Sequence, residues 1–240
     1  MECLSQGAAG DRAIYEPRRG VDLPVAGVIN SGKYSVYALS SPGGSLMLEF
    51  SAGFFKDFNA GISFGGKNIV GSGKAAFQNY PGINARYRFI DESLYFPAAV
   101  LGFDLQGRDK YYNEFRRFAT MSPGIFLVLS KAFRWNYGHF FISAGINYSF
   151  EPPESDRSLN YFGSIEHNFL GFGSACLEYN NTSDDLNRSI MKFNGMLNLA
   201  FKFSLIRGLT LEFQMRDLLE NYTFTGGFTR NIGLEYITSF

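Results

Sequence analysis

Apolar and polar residues alternate with a period of two through most of this chain. In HFFISAGINYSF, Phe140, Ile142, Ala144, Ile146, Tyr148 and Phe150 share one parity, and Ser143, Gly145, Asn147 and Ser149 the other. INARYRF sets Ile83, Ala85, Tyr87 and Phe89 against Asn84, Arg86 and Arg88. LTLEFQMR sets Leu209, Leu211, Phe213 and Met215 against Thr210, Glu212, Gln214 and Arg216. Successive side chains of a strand point to opposite faces, so this pattern predicts strands and excludes helices. About twelve such runs are present, each about 9–13 residues long, from a weak first one at residues 34–39 to the final NIGLEYITSF. The segment KYYNEFRRFAT lies between two runs and reads as a loop.

One run breaks the rule. Ile125, Phe126, Leu127, Val128 and Leu129 are apolar on both parities. Either the inner face of this strand is covered by something, or a bulge switches its faces.

A soluble barrel turns its apolar face inward and needs a charged exterior. Here charged residues are only 18% of the chain, hydrophobic residues are 45%, and Phe and Gly number 26 and 27. The polar parity is mostly Gly, Ser, Asn and Thr, a poor surface for water. A transmembrane barrel accounts for it, with apolar residues outward and polar residues in the lumen. The expected fold is therefore an all-β, closed, antiparallel up-and-down transmembrane barrel of about twelve strands. No run approaches the ~18 apolar residues of a membrane helix.

The connections alternate. Tight ones fall near residues 56–57, 91–95, 135–138, 170–171 and 206–208. Longer ones fall at 66–80, 107–120, 151–158, 181–188 and 219–227. Aromatics such as Phe55, Phe89, Tyr95, Phe133, Trp135, Tyr137 and Phe172 flank the tight end, as an interfacial girdle would. Outer-membrane barrels have short periplasmic turns, so both termini are expected in the periplasm of a bacterial outer membrane. Residues 31–240 form the expected barrel and residues 1–30 a periplasmic lead segment. MECLSQGAAG lacks the basic start and apolar stretch of a signal peptide, and Cys3 does not read as a lipid anchor.

Parity also selects the lumen. Arg86, Arg88, Asp104, Glu166, Glu178, Lys202, Glu212, Arg216 and Glu235 are expected to point inward. A tight turn with Gly208 in the left-handed conformation sets Lys202 opposite Glu212 and predicts an ion pair. Such charges serve to neutralise a narrow interior rather than to mark a transport path.

No chemistry stands out. A lipid hydrolase needs a nucleophile and base in reach. His139 and His167 lie toward the tight turns, and Ser164 has the opposite parity to His167. GGKNIVGSGK lacks phosphate-loop spacing. Asp184 and Asp185 in NNTSDD read as a solvated loop rather than a cation site. Cys3 and Cys176 have no metal spacing. No catalytic, metal or cofactor site is expected, and the zero net charge gives no case for nucleic acid.

GVDLPVAGVINSGKYSV, PGINARYRFIDESLYFPAAVLGFDLQG and SPGIFLVLSKAF resemble ordered segments of YjbH-type outer-membrane barrels, which are linked to exopolysaccharide production. The resemblance covers roughly residues 20–133. It implies a non-enzymatic role in envelope biogenesis or surface-polysaccharide export, with periplasmic or envelope protein partners. A passive small-solute channel, a subunit of a larger envelope complex and a lipid hydrolase are the rival readings. The chain end resembles the assembly signal of outer-membrane barrels, with Tyr236, Thr238 and Phe240 on alternate positions. It implies contact with the barrel-assembly machinery and with outer-membrane lipid.

Overall fold

The computed structural model describes residues 16–71, 73–112, 114–153, 157–169, 172–185, 191–193, 195–222 and 227–240. Cys3, the first half of the expected lead segment and the turn at 170–171 lie outside the described residues.

The strands are β1 (Lys33–Ser41), β2 (Ser45–Phe55), β3 (Phe58–Lys67), β4 (Ala76–Phe77), β5 (Gly82–Ile90), β6 (Ala98–Asp104), β7 (Arg108–Tyr112) and β8 (Arg117–Thr120). They continue as β9 (Gly124–Trp135), β10 (Gly138–Tyr148), β11 (Asn160–Phe169), β12 (Gly173–Asn180), β13 (Met196–Ile206), β14 (Leu209–Arg216) and β15 (Thr229–Ser239). Among the described residues the only helical element is a short 3-10 turn at Ser183–Asp185.

Twelve of the strands form one closed antiparallel cylinder: β1, β2, β3, β5, β6 and β9 to β15. Each pairs with the next, and β15 returns to β1, from Lys33↔Ser239 to Ser40↔Ile232. β4 pairs with the end of β3. Closure follows from the faces. Leu48, Ile62, Leu101, Ile165, Leu177 and Ile232 point out and are exposed, whereas Ser51, Asn59, Ser130, Ser143, Asn198 and Gln214 point in and are buried. This is the inverse of a soluble barrel. An apolar exterior belongs in lipid, where an open sheet edge would leave backbone groups unpaired.

Connections at 56–57, 91–97, 136–137 and 207–208 lie at one end, hereafter the turn end, together with the start of β1 and the end of β15. Gly208 has φ 83°, as the tight turn requires, and a bulge between Ser204 and Ile206 precedes it. The opposite, loop end carries the longer connections. It also carries the tight 42–44 link between β1 and β2, which the alternation of loop lengths does not reveal. Phe55, Tyr95, Phe96, Tyr137 and Phe172 are exposed around the turn end.

Two expectations need correction. KYYNEFRRFAT is not an irregular loop: it contains the end of β7 and all of β8, which form a hairpin at the loop-end mouth. The Phe118 ring meets Tyr111 edge-on at 4.9 Å, and the Glu151 carboxylate accepts the Phe118 and Ser122 N–H groups at 2.7 and 2.8 Å. Asp184 does not lie in a solvated loop, being 3% exposed beside β11, where its N–H donates to Asn160. The side chain of Asp185 lies outside the described residues.

The irregular run belongs to β9. Phe126 and Val128 face inward and are buried, while Ile125, Leu127 and Leu129 face out. The ladders from β9 to β6 and β10 run without a register shift. No bulge switches the faces, so the inner face is covered.

Candidate functional site: a bore filled by residues 16–30

The cover is the N-terminal segment of the chain itself. It enters the cylinder at the turn end, reverses at Gly20–Leu23, and returns to the turn end to begin β1. The Gly20 N–H donates to the Leu23 carbonyl at 2.9 Å, and the Val25 N–H to the Arg18 carbonyl at 3.2 Å. Gly27 lets the two arms lie together, since a Cβ there would sit 2.1 Å from the Pro17 carbonyl oxygen. A cylinder of about eight strands is filled by its own side chains, and one of 16–18 leaves an aqueous channel. Twelve strands leave more room than their inward side chains occupy, and this hairpin fills it.

Its apolar face explains β9. Leu23, Ala26 and Val28 pack with Ala98 and Val100 of β6, Phe126 and Val128 of β9, and Phe162 of β11 in one buried cluster. On the far wall Val21 packs on the small side chains of Cys176 and Ala200.

The backbone of the reversal is held by a wall carboxylate. Glu178 on β12 accepts the N–H groups of Val21, Asp22 and Leu23 at 2.8, 3.1 and 3.0 Å, and the Asn198 side-chain amide at 3.1 Å. Three consecutive N–H groups converging on an anion form a nest, and hydrogen bonds to an ionised acceptor are stronger than neutral ones. Near the exit, Asn59 clamps Ile29: its amide nitrogen donates to the Ile29 carbonyl at 2.6 Å, and its oxygen accepts the Ile29 N–H. The Ala26 N–H donates to the Ser130 hydroxyl at 2.9 Å.

Charges lock the hairpin to strands around the cylinder. Arg18 pairs with Glu235 on β15 and donates to Ser35 on β1 at 2.8 Å. Arg19 pairs with Glu49 on β2 at 3.2 Å and lies 4.2 Å over the Tyr37 ring. Asp22 meets Arg216 of β14 at 2.7 Å. At the turn-end mouth Arg88 gathers three carboxylates: Glu16 at 2.7 Å, Asp57 at 2.5 Å and Asp91 at 2.9 Å. Arg86 donates to the Arg18 carbonyl at 2.7 Å.

Of the nine charged residues selected by parity, Arg88, Asp104, Glu166, Glu178, Lys202, Glu212 and Arg216 are buried, and Arg86 and Glu235 are half-buried and reach Arg18 of the hairpin. Their partners were not legible from spacing. Lys202 stands opposite Glu212 in the ladder, but its ammonium reaches Glu166 at 3.1 Å and the Arg19 carbonyl at 2.8 Å. Glu212 accepts the Tyr37 hydroxyl at 2.9 Å. Asp104 accepts the Gln106 N–H at 2.9 Å. Sequence reasoning missed Glu49, although its parity opposite Leu48 and Phe50 marks it as inward. It also missed Arg18, Arg19 and Asp22, which no alternation marks, and Arg108 on β7.

The hairpin does not fill the whole bore. A cavity open to solvent lies at the loop end, lined in part by Met47, Gln106 and Arg108. Another lies at the turn end, beside Arg18, Lys202 and Glu212. A smaller one lies over the reversal, between Asp22, Arg108 and Glu178.

His167 points away from Ser164, accepts the Trp135 indole N–H at 3.1 Å, and stacks on Phe140 at 4.4 Å between centroids. No cluster of His, Cys, Asp and Glu fit to hold a metal occurs among the described residues. At the chain end, Tyr236 and Phe240 are exposed outward, and the Phe240 ring lies 5.2 Å from Tyr34 of β1.

No family model and no curated protein matches this chain. Solved porins do. The KdgM porin superposes with a TM-score of 0.50 at 12% identity, covering 85% of this chain and 98% of that one. KdgM porin in complex with disordered oligogalacturonate gives 0.51 at 13% identity, with the same coverage. The NanC porin gives 0.46 at 8% identity over 86% of this chain and 99% of that one. At these identities the likeness to KdgM concerns the fold: a closed twelve-stranded membrane barrel.

Proposed function

We propose that this protein is a non-enzymatic bacterial outer-membrane channel of the porin type, held shut by its own N-terminal hairpin. The observation that carries this reading is a bore lined with polar and charged side chains, open as cavities on both sides of a hairpin that is not part of the barrel wall. Arg18, Arg19 and Asp22 of the hairpin pair with Glu235, Glu49 and Arg216 of the wall. Withdrawing the hairpin hands those wall charges to water, which a hydrated pore tolerates and a dry core does not. The fold shared with KdgM supports the channel class. The turn end faces the periplasm in this reading and the loop end the exterior, following the usual placement of short turns. The role in polysaccharide export rests on the resemblance of residues 20–133 alone, and the porin fold favours the channel over it.

Planar-bilayer recording tests this. The full chain is expected to be mostly closed. A chain lacking residues 1–30 is expected to give steady openings. A truncated barrel that shows the heat-dependent gel shift of a folded barrel yet stays silent would sink the reading.

A further inference from the structure

The β7–β8 hairpin borders the loop-end cavity, which opens to solvent, across from the ends of β1, β2 and β3. Arg108 in its wall is 4% exposed. Its Nη1 donates to the Met47 sulfur at 3.2 Å, and its Nε stands 3.7 Å from the Asp22 carboxylate. No oxygen of the described residues accepts a hydrogen bond from this guanidinium, which has five N–H donors in a planar fork. Arg18, Arg88 and Arg216, by contrast, each sit in close contact with a carboxylate.

Ser41 and Ser45 close the β1–β2 ladder opposite one another and are buried, and neither hydroxyl has a hydrogen-bond partner among the described residues. Gln78 and Gln106, by contrast, are tied to each other at 3.3 Å and form a fixed floor. Phe118 supplies an apolar wall.

We propose that this cavity binds a small hydroxylated molecule carrying one anionic group. The carboxylate or phosphate oxygens sit on Arg108, the hydroxyls on Ser41 and Ser45, and an apolar ring face on Phe118. A planar fork suits either anion, because both present paired oxygens. A neutral molecule of the same shape leaves the guanidinium without an acceptor, which is a strong basis for discrimination. Arg108 also lines the cavity over the hairpin reversal, so a bound anion lies next to Asp22. The binding site does not depend on the channel reading, and its test is equilibrium binding rather than conductance.

Titration calorimetry on the full chain folded in detergent, with D-glucuronate, D-glucose 6-phosphate and D-glucose as probes, tests this. At least one anion is expected to bind, with the neutral sugar about tenfold weaker or worse, and Arg108→Gln should lose about tenfold in affinity. Which anion binds more tightly distinguishes carboxylate from phosphate. Binding by none of the three, equal binding of the neutral sugar, or unchanged binding by Arg108→Gln overturns the proposal. Should Arg108→Gln fail to show the gel shift of a folded barrel, the Ser41→Ala/Ser45→Ala double variant decides. It is expected to weaken anion binding severalfold, and unchanged affinity overturns the proposal.

Discussion

Val21, Asp22 and Leu23 direct three consecutive N–H groups at one carboxylate, Glu178, from 155 to 157 positions away in the chain. Glu178→Ala leaves those donors buried without an acceptor, at about 1–3 kcal/mol for each that water does not reach. Hydrogen exchange at the three amides is therefore expected to quicken by about a hundredfold or more, while the amides of the β12 and β13 ladder stay protected. Equal protection in the variant would mean that water or Asn198 replaces the carboxylate. At this scale parity was a good guide to direction and a poor one to partnership. Lys202 points into the bore opposite Glu212, as the Gly208 turn requires, yet its ammonium meets Glu166 of β11 and the Arg19 carbonyl of the hairpin. A side chain's direction is set by its own strand. Its partner is set by whatever fills the space in front of it.

The elements divide into a wall and a filling. The wall is held by backbone ladders, and its strands are legible from alternation because each needs one face in lipid and one in a polar lumen. The filling has no such constraint, and residues 16–30 carry no repeating pattern. Its presence showed only indirectly, in β9, where Phe126 and Val128 break the polar parity. That irregularity could equally have been a bulge, and only the unbroken registers to β6 and β10 exclude one. The KYYNEFRRFAT segment shows no strand pattern because β7 and β8, of 5 and 4 residues, are too short for alternation to stand out. Gly27→Val tests the filling without touching the wall, since its side chain would collide with the Pro17 carbonyl and force the two arms apart. The expected outcome is a barrel with a normal heat-dependent gel shift and a higher open probability in planar bilayers. A variant as closed as the parent would show that the hairpin can part its arms without leaving the bore.

As a whole the molecule is a cylinder turned inside out relative to a soluble barrel. Leu177 lies near the middle of β12 on the outer face and is exposed there. Leu177→Arg should destabilise the folded barrel by about 2–4 kcal/mol in lipid vesicles, the cost of a cation near the bilayer midplane. Leu177→Ser serves as the uncharged control, and urea titration of vesicle-inserted protein gives the difference. Near-equal stability of the two variants would contradict a lipid-facing exterior.

The amino-acid order alone determined that this chain forms a closed barrel of about twelve strands, which face of each strand meets lipid, and which end carries the tight turns. All three follow from local rules: a period of two, backbone groups that must pair within lipid, and turn residues at the strand ends. Only the tertiary structure decided that the bore is filled, by which segment, and which wall charges the filling engages. Those outcomes depend on contacts such as Val21 with Glu178, across 157 positions of chain, and on the volume left inside a twelve-stranded cylinder. Neither quantity exists until the strands have closed.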